Sequence, residues 1–346
     1  MLLQRYKLGR QSFHFPVPPV ILSWASAAGK KEGQGPLGRS FDAICQDPFL
    51  GEKTWEQGEQ AMQKMVLRRA LRKAELTEEK LSVVFSGDLL NQCTASSFPL
   101  KNTGIPHIGL YGACSTMAES LLLGAMAVGG GFAEVAGSVS SSHFCGTERQ
   151  YRFPLGYGGQ RTPTSQWTVT GAGAALIGNR GSGPRITGCT IGTVRDLGIR
   201  DANNMGAAMA PAALRTVLDH FRDFGTGPED YDLIVTGDLG QLGKELLLEL
   251  ALKEGVQLGG KLSDCGSMIF DNTRQNVGCG GSGAGCSACV LCGHLLGQLS
   301  RGQLQKILFC GTGALLSPLT SQQKLPIPGI CHAVVLEAPE EERKAP

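Results

Sequence analysis

The sequence lacks the long apolar runs that mark membrane-spanning and secreted proteins. No stretch of its 346 residues reaches the roughly 18 consecutive apolar residues of a spanning helix. The first fifteen residues include Arg5, Lys7 and Arg10 and contain no apolar core of the signal-peptide type. We therefore expect a protein that stays in the cytoplasm.

A charge excess is also missing. The 32 Lys and Arg residues nearly balance the 30 Asp and Glu residues, which leaves a net charge of +2. Because the charges are spread along the chain, we expect no nucleic-acid partner. The glycine-rich runs at 129–131 and 278–285 lack the Gly-Lys-Ser/Thr ending of a phosphate-binding loop, so they do not predict nucleotide binding.

What is present is typical of a globular α/β protein. Hydrophobic residues make up 42% of the chain, charged residues make up 18%, and there are 49 glycines. A chain of this length can form two domains or one large duplicated one. The 12 cysteines, without a signal peptide, favour reduced thiols over a disulfide framework.

The first half of the chain predicts a series of helices and strands. A capping box that begins at Thr54 predicts a helix over 55–75. Residues 81–86 read as a buried strand that ends in Gly87-Asp88-Leu89, and the apolar run 109–128 predicts a helix buried on all sides. Strands are expected at 133–139 and 167–177.

The second half repeats part of this order. We expect helices at 207–224, 244–253 and 286–299, and strands at 233–236 and 306–316. The strand at 233–236 ends in Gly237-Asp238-Leu239, which matches the turn after the first-half strand. Such recurrence suggests an internal duplication, with one half over 1–182 and the other over 183–346.

Two motifs resemble a known superfamily. The run YGACST at 111–116 before an apolar helix, together with GAGAA at 171–175, resembles the nucleophile helix and following strand of thiolases and ketoacyl synthases. That resemblance implies a five-layered α-β-α-β-α fold of two pseudo-duplicated halves. Two buried helices would then lie between two mixed sheets.

A closer resemblance covers nearly the whole chain. The runs SSSHF at 140–144, ERQYRFP at 148–154, YGGQR at 157–161 and QWTVTG at 166–171 resemble a family of sporulation proteins from spore-forming Firmicutes. The family implies binding of dipicolinic acid or its calcium chelate, in sporulation and germination. It also implies a peripheral position on the cytoplasmic face of the spore inner membrane, through membrane-embedded proteins of the same operon, and a possible homodimer.

The resemblance also indicates that the catalytic machinery is dismantled. Condensing enzymes need a thiolate at a helix start and side chains that stabilise a thioester oxyanion. Cys114 occupies the thiolate position. Asp238 is the nearest candidate for the second-half histidine slot, and Gly281 falls where the synthases carry an asparagine. An ionised aspartate cannot donate a hydrogen bond to an oxyanion. We therefore expect no catalytic residue and no cofactor.

The retained pocket would bind a planar dicarboxylate. Candidate ligand-binding residues are Cys114, Ser115, Asp238, Gly281 and Ser282. Asp238 could instead cap the turn after its strand.

Residues of the following loop are further candidates. His143 follows the serine run 140–142, which the resemblance places in a loop, and it could line the pocket mouth or be a surface or satisfied loop histidine. Arg149, Arg152 and Arg161 could clamp a carboxylate or pair with Glu148 and its neighbours.

Two other functions remain open. Cys286, Cys289 and Cys292, preceded by Cys279, have the C-x2-C-x2-C spacing of a ferredoxin-type cluster, although no proline follows and the segment continues as an apolar run. Alternatively, Cys114 could serve an active acyl-transferring condensing enzyme with an unrecognised base.

Overall fold

The computed structural model describes residues 6–90, 92–151 and 161–340. The described strands, in chain order, are β1 (Lys7–Leu8), β2 (Ser12–His14), β3 (Val20–Gly29), β4 (Ala43–Cys45), β5 (Val83–Gly87), β6 (His107–Leu110), β7 (Val135–Ser142), β8 (Trp167–Thr168), β9 (Gly171–Gly178), β10 (Arg185–Thr190), β11 (Leu233–Thr236), β12 (Leu262–Asp264), β13 (Gly281–Ser282), β14 (Lys306–Ala314) and β15 (Gly329–Glu337). The described α-helices are α1 (Lys30–Gly33), α2 (Trp55–Lys73), α3 (Thr94–Ser97), α4 (Thr116–Gly129), α5 (Phe144–Tyr151), α6 (Met205–Phe224), α7 (Gly240–Lys253), α8 (Cys265–Ile269), α9 (Ala284–Val290), α10 (Leu296–Ser300) and α11 (Pro318–Gln322). Short 3₁₀ turns precede α4 at Ala113–Ser115 and follow α3 at Phe98–Leu100, and a π-helical turn, Leu291–Leu295, joins α9 to α10.

Two half-sheets share the same strand order. The first runs β3-β9-β7-β5-β6 and the second runs β10-β15-β14-β11-β12. In both, the second strand is antiparallel to both of its neighbours, and the last three strands are mutually parallel. A single register pair, Arg185 with Val20, connects the two half-sheets. The repeated order is the duplicated mixed α/β topology that the resemblance implied, whereas the boundary after residue 182 stays a prediction.

Both faces of each half-sheet are buried, and this produces the layers. Along β9, Ala172, Ala174 and Leu176 face the core under α2, whereas Ala175 and Ile177 face the core around α4. The side chains of β14 alternate in the same way between the α4 side and the α6 side. Since α4 touches β5 and β7 on one side and β14 and β15 on the other, it lies in the central layer. Helix α9 packs on β7 and β9 beside it.

Several boundaries differ from the sequence expectation. The run 109–128 begins as the end of β6 and becomes helical only after the turn that contains Cys114. Helix α7 starts at Gly240, four residues earlier than expected. The expected strand at 167–177 is two strands, β8 and β9, which pair with different partners.

The serine run at 140–142 is not a loop. These residues form the end of β7, and all three are fully buried. The Ser141 hydroxyl donates to Glu59 at 2.6 Å, and the Ser142 hydroxyl donates to the Val169 carbonyl at 2.6 Å. The strand continues because partners distant in sequence satisfy these hydroxyls.

No helix among the described residues is both long enough and apolar enough to cross a membrane.

Candidate ligand-binding site

A cavity of about 370 Å³ lies where the two halves meet. Its wall includes Cys114 in the turn before α4, Ser282 at the end of β13 and Thr168 at the end of β8. Tyr111 and Tyr151 also line it, and the hydroxyl groups of both donate to the Leu316 carbonyl at 3.3 Å. The volume falls within the range of small-molecule sites.

A strained turn delivers Cys114 to this cavity. Ala113, directly before it, has a φ of 52°, which is uncommon for a residue with a side chain. The turn ends in α4, so the thiol sits at a helix N-terminus and is only 5% exposed. This is the geometry in which backbone N–H groups favour a thiolate.

Asp238 opposes that effect. Burial raises the pKa of the Cys114 thiol well above its ordinary value, and the negative Asp238 carboxylate beside it raises the pKa further. Hydrogen bonding from Ser282 and the Gly283 N–H acts in the opposite direction but is outweighed. Cys114 is therefore a protonated thiol that interacts with a carboxylate.

Hydrogen bonds from three other groups hold the Asp238 carboxylate. The Ser282 hydroxyl donates to Oδ2 at 3.1 Å, and the Gly283 N–H donates to the same oxygen at 2.8 Å. The Thr312 hydroxyl donates to Oδ1 at 2.9 Å and accepts from the Asp238 N–H at 3.0 Å. Burial nevertheless raises the Asp238 pKa to about 6. The side chain is fully buried, so it lies behind Ser282 and not at the cavity surface.

Asp264 fixes the turn that carries Asp238. Its carboxylate accepts from the N–H groups of Leu239 and Gly240, at 2.8 and 3.0 Å, and from the Thr236 hydroxyl at 2.7 Å. It also caps α8 through the Ser267 N–H at 3.0 Å. Sequence reasoning missed Asp264 and Thr312 because neither carries a local motif that indicates a partner so distant in sequence.

Thr147 was missed as well. It lines the cavity from α5, is 7% exposed, and its hydroxyl has no hydrogen-bond partner among the described residues. Buried hydroxyl groups are normally paired. An unpaired one on a cavity wall is available to a ligand.

The wall carries one carboxylate among the described residues, and an arginine behind it forms an ion pair with it. Glu148 is the carboxylate on the lining, and its Oε1 lies 3.0 Å from Arg161 and 3.2 Å from the Thr168 hydroxyl that donates to it. No Lys, Arg or His belongs to the lining within the described part of the chain. Arg161 thus sits behind Glu148, Arg149 pairs with Glu56, and Arg152 lies outside the described residues.

The predicted site residues separate into two groups. Cys114 and Ser282 line the cavity, and Asp238 contacts both. Ser115 turns away and donates to the Gly112 carbonyl, while the Gly281 carbonyl accepts from Gln166.

His143 lies away from the cavity lining. It is fully buried, and its Nε2 pairs with the Pro48 carbonyl at 2.8 Å. Of the alternatives for His143, the structure agrees with a satisfied histidine, because β7 extends to the residue before it and its ring lies in the interior.

The four candidate cluster cysteines do not converge. Cys286, Cys289 and Cys292 are buried along one helical segment, and the Cys289 thiol donates to the Ala27 carbonyl at 3.1 Å. Cys279 instead donates to the Pro163 carbonyl at 3.1 Å. Within the described residues, no group of three or more His, Cys, Asp or Glu side chains is arranged to hold a metal ion.

Comparisons with known proteins agree on sequence and fold. A family model described as stage V sporulation protein AD matches residues 9–337. Stage V sporulation protein AD of Bacillus subtilis strain 168 is 41% identical over 329 residues, which cover 95% of this chain and 97% of the relative. One similar solved structure is 3-oxoacyl-(acyl-carrier-protein) synthase III of Aquifex aeolicus VF5, with a TM-score of 0.55 and 13% identity over 92% of this chain and 99% of that one. Cerulenin-bound OleA of Xanthomonas campestris is another, with a TM-score of 0.57 and 16% identity over 94% of this chain and 97% of that one. At these identities the structural likenesses establish the thiolase-like fold alone.

Proposed function

Because this chain belongs to the stage V sporulation protein AD family, we propose that it is a non-catalytic binding protein for calcium dipicolinate, which acts in spore formation and germination. Membership of the family gives the chain a role in sporulation. The ligand and the absence of catalysis are our proposal, and the chemistry of the cavity supports both.

The observation that carries the proposal is the cavity of about 370 Å³ with its hydroxyl-rich wall. Dipicolinic acid is a flat pyridine ring with two carboxylates, so its site needs hydrogen-bond donors around an apolar slot. The Thr147 hydroxyl, which has no partner among the described residues, supplies a donor. The hydroxyl oxygens of Ser282 and the two tyrosines, which donate to Asp238 and to the Leu316 carbonyl, can accept a hydrogen bond or coordinate calcium. Leu89, Ala113 and Ala314 are among the apolar lining.

The charge of the wall favours the calcium chelate over the free acid. Free dipicolinate is a dianion at neutral pH, and it would face Glu148 on the wall and Asp238 behind Ser282. Like charges in a site of low dielectric repel strongly. A bound calcium ion cancels the ligand's charge, and Ca²⁺ prefers carboxylate and hydroxyl oxygens of the kind that Glu148 and its neighbours provide.

The state of Cys114 supports the absence of acyl transfer. The thiolate is the nucleophile, and burial together with Asp238 keeps this thiol protonated. Asp238 is mostly ionised at neutral pH because its pKa is about 6, so it accepts hydrogen bonds and cannot stabilise an oxyanion. An intact-mass assay with acyl-CoA donors tests this part. A stable acyl adduct on Cys114 would overturn it and would support the condensing-enzyme alternative.

Isothermal titration with dipicolinic acid, with and without calcium, tests the ligand. We expect saturable binding in the presence of calcium and at least about tenfold weaker binding of the free acid. Thr147→Val keeps the shape of the side chain and removes the hydroxyl, so we expect it to weaken binding about tenfold. Thr187→Val, in β10 away from the cavity lining, is the matched control and should bind like the wild type. No binding by the wild-type protein under either condition would refute the ligand.

Two partners complete the proposal. The family resemblance implies a peripheral position on the cytoplasmic face of the spore inner membrane, held by membrane-embedded stage V sporulation proteins of the same operon. A second copy of the chain is the other expected partner. Strand β6 is the last strand of its half-sheet, and Ile108 on it is 50% exposed, so its open edge can pair with the same edge of a second copy.

A further inference from the structure

A second cavity lies on another face of the protein and shares no lining residue with the first. This cleft of about 660 Å³ is formed by the turn between β1 and β2, the segment after β10, and the C-terminal half of α6. Four arginines line it: Arg10, Arg195, Arg215 and Arg222. We call it the arginine cleft.

Buried carboxylates hold two of these guanidinium groups in place. Asp219, whose side chain is 2% exposed, pairs with both Arg215 and Arg222 and accepts from the Gln11 amide at 2.9 Å. Asp223, at 3% exposure, accepts from Arg222 at 2.9 Å and from the Ser12 hydroxyl at 2.8 Å. Because the aspartates are anchored on their buried side, the outer N–H groups of the two arginines point to solvent in a fixed arrangement.

The other two arginines give the cleft its charge. Arg10 and Arg195 are exposed and form no ion pair with any carboxylate of the described residues. Four guanidinium groups against two carboxylates leave a charge of +2 on the cleft lining, and Asp196 in the neighbouring segment lowers the total to +1. A fixed cluster of arginine forks matches phosphate oxygens, which accept two N–H groups at once.

Exposed apolar side chains lie beside these charges. Val194 lines the cleft and is 58% exposed, and Leu197, two residues beyond Arg195, is 69% exposed. Ile191 is 40% exposed, and its N–H bonds the Gln11 carbonyl at the cleft wall. Neither a small free anion nor the polar backbone of a nucleic acid has an apolar surface that could pack against these three side chains.

We propose that the arginine cleft and the adjacent segment 191–197 dock the protein onto an anionic phospholipid surface. The guanidinium groups contact headgroup phosphates, and the side chains of Ile191, Val194 and Leu197 enter the boundary between headgroups and acyl chains. This contact is separate from the proposed dipicolinate site and from any protein that holds the chain at a membrane.

Co-sedimentation with vesicles tests the proposal. We expect the full chain to bind vesicles of phosphatidylglycerol mixed with phosphatidylcholine, to bind pure phosphatidylcholine weakly, and to lose binding in high salt. The double variant Arg10→Glu, Arg195→Glu should partition at least about 25-fold more weakly, since each lost basic contact is worth about fivefold. Arg72→Glu, Arg180→Glu carries the same charge change on exposed residues outside the cleft and should bind much more tightly than the cleft variant.

Replacement of the exposed apolar side chains distinguishes binding to a lipid surface from binding to other anions. Val194→Ser, Leu197→Ser should weaken vesicle binding about tenfold while all arginines remain. The proposal is overturned if this variant binds vesicles like the wild type, if the two charge variants lose binding equally, or if inorganic phosphate or duplex DNA binds the cleft while vesicles do not. Dipicolinate titration of the same variants reports on the other cavity, so failure of one proposal does not affect the other.

Discussion

The replacement Asp238→Asn tests the electrostatics of the ligand cavity most directly. Burial raises the pKa of this carboxyl from an ordinary 3.8 to about 6, against the opposing effect of its hydrogen bonds. Because the pKa is higher in the folded state, the folded protein still holds this proton between about pH 4 and pH 6, where the unfolded chain has already lost it. Stability is therefore greatest at low pH and falls as the pH rises from about 4 to about 6. A shift of roughly two units corresponds to about 3 kcal/mol.

The asparagine variant does not undergo this titration. Its free energy of unfolding, relative to the wild type, should rise by about 3 kcal/mol between pH 4 and pH 7 and change little above that. Urea unfolding at a series of pH values, with refolding checked at each, measures the difference. Other buried acids with raised pKa values, such as Glu32 and Glu59, titrate in both proteins and cancel in the comparison.

Asp47→Asn provides a control of opposite sign. Backbone N–H groups of Gly51 and Phe49 lower the Asp47 pKa, so the wild type gains stability as the pH rises and this variant should fall behind. If the free energy of unfolding of Asp238→Asn, relative to the wild type, does not change with pH, the carboxyl is not desolvated by its surroundings. A falling difference would show that the hydrogen bonds outweigh burial, and either result would refute our account of the cavity.

Three further changes probe the cavity, the sheet edge and the central layer. Glu148→Gln should weaken calcium dipicolinate binding about tenfold and reduce the calcium dependence of binding, as measured by titration. An unchanged calcium dependence would show that Glu148 does not contact the calcium ion. Ile108→Lys should shift the protein from dimer to monomer in analytical ultracentrifugation. The control Phe132→Lys, at an 88% exposed position outside β6, should leave the dimer intact. Equal effects of the two variants would exclude the β6 edge as the dimer interface. Gly173→Ala places a Cβ 2.4 Å from a carbonyl oxygen of α9 and should cost roughly 2 kcal/mol or more, whereas Gly259→Ala has open space and should cost under about 1 kcal/mol. Equal losses of urea stability would contradict the close packing of α9.

Local sequence signals predicted much of the fold. Helix α2 starts at the expected capping residue, and the Thr54 hydroxyl accepts from the Gln57 N–H at 3.2 Å. The strand at 233–236 and the end of α6 at 224 are also where the pattern placed them. These elements depend on periodicity and caps within a few residues, which a sequence displays directly.

The misplaced and missed parts depend on contacts distant in sequence. The resemblance placed the serines at 140–142 in a loop, whereas bonds to residues such as Glu59 and Val169 hold them in a strand. Thr312 and Asp238 are 74 residues apart, and no motif links them. The resemblance predicted that Cys114 and Asp238 would belong to one pocket, but it could not show that the carboxylate lies behind Ser282 or that the Thr147 hydroxyl has no partner among the described residues.

The exchange of central helices between the halves has a consequence for synthesis of the chain. Helix α4 belongs to the first half but covers β14 and β15, and α9 belongs to the second half but covers β7 and β9. A nascent chain that has emerged only as far as β10 therefore exposes the glycine- and alanine-rich surface of β9 that α9 will later cover. Neither half can complete its core alone. Most of the second half must therefore emerge from the ribosome before the first half becomes resistant to proteolysis and aggregation.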